Sequence, residues 1–217
     1  MGFFSHVFGN GRRLKARDAI LKGLEAESPT ALAPLDALPV GDRAEVLGMV
    51  LRPLMLDDRH AEAERVVSAL GALDPKAAWA PAIELAQATG RVEVAIELCR
   101  AQVEREPTFV ERRALLAALL VRGGQAAEAL AVLDAGQRGD PDLELVRIDV
   151  LAALGRLAEA HEQARVVRDA AQAELNQGIL GAGREGAEEQ LRVASQRFDE
   201  LAAALAASED PAPNPLS

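Results

Sequence analysis

Apolar residues near the C-terminus alternate four and three positions apart: Ala187, Leu191, Ala194, Phe198, Leu201 and Leu205. That spacing lays a narrow apolar seam along one side of a helix. Leu157, Ala160, Ala164, Val167 and Ala171 make a matching seam with spacing three, four, three, four. The two predict an antiparallel hairpin, 157–176 and 185–207, across a Gly178–Gly186 loop. Upstream, the pattern predicts helix pairs at 42–56 and 60–73, 76–89 and 92–104, and 109–122 and 125–136. A fourth pair, 142–154, leads into 157–176. A basic helix is expected from about Arg12 to Ala26, broken at Ser28-Pro29, with a brief helix between Pro29 and Pro39. Runs of Ile, Val, Thr, Tyr and Phe are missing, so no strand is expected.

The central pairs repeat. Gly90, Ala95 and Pro107 recur 34 residues later as Gly124, Ala129 and Pro141. Looser copies flank them: Asp58, Ala63 and Asp74-Pro75 before, Gly155 and Ala160 after. A period of this size marks stacked helix pairs, each burying its apolar face on its neighbour. Glycine at the turn suits a helix end that needs a left-handed residue. Ala95, Ala129 and Ala160 are expected where paired helices approach most closely. The acidic-Pro pairs Glu106-Pro107 and Asp140-Pro141 are expected to end the second helices, because proline cannot continue them.

These residues resemble the tetratricopeptide repeat (TPR) family. Trp79 falls at the family's first-helix aromatic, with Gly90, Ala95 and Pro107 at its glycine, small and proline positions; the next copy has Arg113 in place of the aromatic. The resemblance spans roughly 42–172 and implies an all-α, right-handed α-solenoid of TPR-like hairpins with a C-terminal capping hairpin. The expected organisation is an N-terminal apolar and basic arm (1–41), TPR-like repeats (42–172), a capping helix (173–207) and a proline-rich disordered tail (208–217). The resemblance also implies a groove lined by first helices. It would present Ala77, Ala80, Glu84 and Gln87 in one repeat, and Glu111, Ala114, Ala118 and Arg122 in the next. Families that clamp a peptide carboxylate use Lys, Asn and Arg there. Only Arg122 and Arg52 are available, so that clamp is not expected. An Ala/Leu-rich helix carrying some basic residues suits such a groove.

Charge narrows the partners. The chain carries −10, against the basic stripe a nucleic-acid binder needs. Residues 1–24 hold five basic groups and one acid, a net of +4, leaving −14 for the rest. Phe3, Phe4 and Phe8 precede that basic stretch, and an apolar-plus-basic arm is able to bind anionic lipid. Its docking partner is one of four: its own repeats, a second copy, another protein, or a membrane reached through residues 1–22. No secretory signal or membrane span is visible, so a cytoplasmic protein is expected.

Chemistry is sparse. Gly181-Ala182-Gly183-Arg184-Glu185-Gly186 spells G-x-G-x-x-G, but a helix precedes it where a dinucleotide site needs a strand. The three histidines are scattered, and Cys99 falls where the repeat wants a buried apolar residue. Neither catalysis, a metal nor a cofactor is expected. The leading reading is a non-enzymatic scaffold or adaptor holding a partner protein in its groove. The alternative is a membrane-surface or complex-tethered regulator anchored through its N-terminal arm. Homodimerisation is the other use open to the C-terminal helices.

Overall fold

The computed structural model describes residues 3–136, 139–178 and 181–209, with backbone alone at 3–10, 182 and 209. The described residues are all-helical, without a strand, in the repeating hairpin organisation of a helical solenoid. They fall into two compact units, 1–98 and 99–217. The first holds α1 (Phe3–Glu25), a 3₁₀ turn (Ala33–Ala37), α2 (Val40–Leu56), α3 (His60–Leu73), α4 (Pro75–Ala88) and the start of α5 (Val92–Arg105). The second holds the rest of α5, α6 (Val110–Arg122), α7 (Ala126–Asp134), α8 (Pro141–Ala153), α9 (Leu157–Asn176) and α10 (Ala182–Glu209).

The turn chemistry is shared. Gly90, Gly124 and Gly155 have φ of 70°, 74° and 72°. After each, an amide reaches back five residues: Arg91 to the Ala86 carbonyl at 2.8 Å, Gln125 to Leu120 at 2.7 Å and Arg156 to Leu151 at 2.9 Å. This closure satisfies a carbonyl that the helix end would leave open. Two turns use it without glycine. Asp58 (φ 55°) and Glu27 (φ 53°) take the left-handed position, with Arg59 bonding Leu54 at 2.8 Å and Ser28 bonding Gly23 at 2.9 Å. Seven residues before these five positions stand Ile20, Leu51, Ile83, Ala117 and Ile148, all buried. α1 therefore ends as the first helices of the pairs end.

The small residues lie in the core: Ala63, Ala95, Ala129 and Ala160 are fully buried. Trp79 donates its indole N–H to the Leu98 carbonyl at 3.2 Å. Arg113, at the same repeat position, donates to the Val132 carbonyl at 3.2 Å, nineteen residues on in both cases. A guanidinium thus ties first helix to second where an aromatic ring does so in the preceding copy. Gly136 is required by contact: a Cβ there would lie 2.8 Å from both Arg113 Cδ and Leu143 Cδ1.

Four local expectations change. α1 runs through Gly9-Asn10-Gly11 instead of starting at Arg12. Glycine weakens a helix by about 1 kcal/mol but does not forbid it. Asp74-Pro75 and Asp140-Pro141 begin helices, and Asp140-Pro141 does not end one, since α7 already stops at Asp134. Asp74 accepts from the Lys76 and Ala77 amides at 3.0 Å, and Asp140 from Asp142 and Leu143 at 3.1 and 3.4 Å. Each proline follows its cap at a position where no amide hydrogen is needed. Glu106 instead pairs with Arg112, and α6 starts later, at Val110. The Gly178–Gly186 loop is shorter than expected, since α10 begins at Ala182 and takes Gly183 and Gly186 into its first turns. α10 also continues through Ser208, whose hydroxyl donates to the Leu205 carbonyl at 2.7 Å. The expected tail beyond it, 210–217, lies outside the described residues.

The predicted C-terminal seams meet each other. Ala160, Ala164 and Val167 of α9 pack with Ala194 and Leu201 of α10, joined by Leu157, Phe198 and Ile148 of α8. His161 stacks on Phe198 with centroids 4.1 Å apart, and Arg168 lies 4.3 Å from the same ring centre. Arg197 of α10 bridges Asp149 of α8 at 2.9 Å. At the remaining α10 seam positions, Ala187 is buried and Leu191 and Leu205 are half-buried.

Candidate partner-binding surfaces

In the first unit, α4 is anchored on one side by the buried Ala78, Ile83, Leu85 and Ala86. Its other side shows Ala77, Ala80 and Glu84 exposed and Gln87 half-buried. In the second unit, Leu116, Ala117, Leu119 and Leu120 anchor α6. Glu111 and Arg122 are exposed there, with Ala114 and Ala118 half-buried between them. Small residues between exposed charges leave each face low and accessible.

α6 and α8 frame a cleft of about 320 Å³ at their N-terminal ends, lined by Thr108, Phe109, Val110, Glu111, Asp140 and Asp142. Phe109 is 50% exposed, and the Arg112 guanidinium lies 4.5 Å from its ring centre. Asp140 is committed to capping α8, whereas Glu111 and Asp142 stand exposed at the rim. Sequence reasoning found Glu111 here but missed Phe109 and Asp142. No local signal marked Phe109 for exposure, since its spacing of seven, eight and eleven from the buried Leu116, Ala117 and Leu120 reads as core.

The side chains of Phe3, Phe4 and Phe8 lie outside the described residues; their backbone belongs to α1. Further along, α1 is docked on its own unit through the buried Ala16, Ile20 and Leu24. Arg13 reaches Asp42 at 2.9 Å and Glu45 at 2.5 Å, and these carboxylates, Glu45 foremost, raise its pKa further. The basic stretch thus spends one of its charges inside the molecule, while Arg12, Lys15 and Lys22 stay exposed.

Reactive chemistry is held down. Cys99 is fully buried, its thiol donates to the Arg112 carbonyl at 3.4 Å, and loss of solvation pushes its pKa up to about 11. Such a thiol is a poor nucleophile at neutral pH. Among the described residues no group of three or more His, Cys, Asp and Glu is placed to hold a metal. No described helix is long and apolar enough to cross a membrane.

Residues 86–147 match the tetratricopeptide repeat family model. The matched stretch contains Gly90, Ala95, Pro107, Gly124, Ala129 and Pro141, the two best copies of the repeat. No curated protein matches the chain significantly. Tetratricopeptide repeats generally mediate protein–protein interactions, and proteins of that family are typically non-enzymatic scaffolds.

Proposed function

We propose that the chain is a non-enzymatic, cytoplasmic scaffold or adaptor that binds a partner protein on the exposed faces of its first helices. One observation carries the reading: within the family-matched segment, α6 buries its anchoring residues and leaves Glu111, Ala114, Ala118 and Arg122 accessible. The α4 face, with Glu84 and Gln87, repeats the arrangement in the first unit. Low alanine surface bordered by carboxylates suits an Ala/Leu-rich partner helix carrying some basic residues. The test is affinity capture from the source cell, repeated with Glu84→Lys and Glu111→Lys. Both positions are exposed, where substitutions usually change stability by only about 0.5 kcal/mol. Loss of one defined partner from a variant with unchanged melting temperature is the expected result. Unchanged capture by both variants would remove these faces from the reading.

A further inference from the structure

α1 packs on its own unit with one side and leaves the other open. Ala16 and Ile20 are buried against that unit, whereas Leu14, Lys15, Asp18 and Ala19 are exposed. The backbone is helical without interruption from Phe3 to Glu25. About eleven residues make three helical turns, so each position shares its side with the one eleven earlier. The packed side, at 16 and 20, continues back to positions 5 and 9, which are Ser5 and Gly9. The open side, at 14, 15, 18 and 19, continues back to positions 3, 4, 7 and 8, which are Phe3, Phe4, Val7 and Phe8. The apolar positions at the helix start therefore lie off the side by which α1 is docked. Lys22, two turns beyond Lys15, is exposed on the same side, and Arg12 is exposed beside it. The first carboxylate of the chain is Asp18, which bonds Arg17 at 2.6 Å; Glu25 follows at the helix end.

We propose that the open side of α1 binds an anionic lipid surface. The helix lies in the plane of that surface, with the segment 3–8 at the acyl chains and Arg12, Lys15 and Lys22 at the phosphates. Apolar insertion and attraction to anionic headgroups add in such a helix. Three features select this occupant. The apolar positions come first, and Arg12 and Lys15 follow with no carboxylate between. The three cations are strung along about 15 Å of helix, which matches a surface carrying phosphate throughout better than a single acidic group. The rest of the chain carries −14, so an anionic surface repels it and leaves α1 as the contact. None of the described helices is long and apolar enough to cross a bilayer, in keeping with a helix that lies on one. The site is separate from the α4 and α6 faces and stands without them.

The experiment sediments the full chain with vesicles of phosphatidylcholine alone and of phosphatidylcholine mixed with phosphatidylserine. Phe4→Ser with Phe8→Ser tests the apolar positions, Lys15→Gln with Lys22→Gln tests the cations, and Lys76→Gln, exposed on α4, is the control. Circular dichroism melts and sedimentation velocity follow folding and oligomeric state. The parent protein should bind the phosphatidylserine vesicles, and phosphatidylcholine alone at least about tenfold more weakly. The phenylalanine pair should weaken binding by about tenfold or more, the lysine pair by about fivefold per cation, and Lys76→Gln should match the parent. The melting temperature of the phenylalanine pair should stay at the parent value, because Ala16, Ile20 and Leu24 dock α1. Absence of vesicle binding overturns the proposal, as does equal binding to both vesicles or unchanged binding by either pair. A lower melting temperature in the phenylalanine pair would assign those residues to the protein's own unit, and loss of an oligomer would assign them to a second copy; either result also overturns it.

Discussion

The left-handed turn residues offer a test with opposite signs in one unit. At Gly90, φ is 70° and an added Cβ would meet nothing within 4 Å. Gly90→Ala therefore has no steric component, only a backbone one. Holding an L-residue in that region costs about 1–2 kcal/mol. Restricting the unfolded chain returns about 0.4–1 kcal/mol. The net expectation is a loss of about 0.5–1.5 kcal/mol, or roughly 1–6 °C in melting temperature for a chain of this size. Asp58→Gly runs the same change backwards at φ 55°. It should stabilise, by less than Gly90→Ala costs, because aspartate tolerates the region better than most residues. The substitution also removes a carboxylate that stands 3.8 Å from His60 and is 89% exposed, an approach that contributes little in water. Glu27→Gly, at φ 53°, should stabilise more than Asp58→Gly, since glutamate has no such tolerance. Thermal and urea denaturation of the three variants beside the parent protein measure this. Gly90→Ala and Asp58→Gly shifting stability in the same direction would refute the reasoning.

Two further predictions concern the second unit. Ala129→Leu should cost about 1–3 kcal/mol by overpacking a fully buried position, while Ala127→Leu, less enclosed on the same helix, should stay within about 0.5 kcal/mol. Equal melting temperatures for the two variants would contradict the helix-crossing role. Cys99 should resist a thiol-specific disulfide reagent in the folded protein at pH 8 and react fully on unfolding; stoichiometric labelling of folded protein would contradict its burial. Its folded pKa is raised from 9.0 to about 11, so its contribution to stability is complete below pH 9 and is lost as pH rises towards 11. The slope there should approach about 1.4 kcal/mol per pH unit and vanish in Cys99→Ala.

The helix boundaries were legible because their signals are local. Glycine's access to positive φ, proline's missing amide and the apolar period act within a few residues of one another, and from 42 to 176 they placed each helix start and end within two residues. Other features were legible in position but not in role. Asp74 and Asp140 stand before proline just as Glu106 does. The shorter side chains cap the next helix, while the longer one reaches Arg112. α4 and α8 start at the proline, which puts Asp74 and Asp140 at the cap, whereas α6 starts at Val110 with Phe109 at its cap.

Other features depended on the packed chain. Glu27 is a poor candidate for left-handed backbone by type, and nothing in the local sequence marked it as a turn residue. Phe109 keeps helical spacing with the buried Leu116, Ala117 and Leu120, so its exposure beside Glu111 and Asp142 follows from tertiary packing and not from the pattern. The basic stretch allowed four docking partners by composition; Ile20 and Leu24, buried beside α2, placed that part of α1 on its own unit. By itself the sequence determined the all-helical class, the repeat and the burial of its small residues, since these rest on conformational preference and spacing along one chain. Tertiary structure alone decided which charges were spent inside and which faces stayed open, because burial and ion pairing depend on residues distant in sequence and close in space.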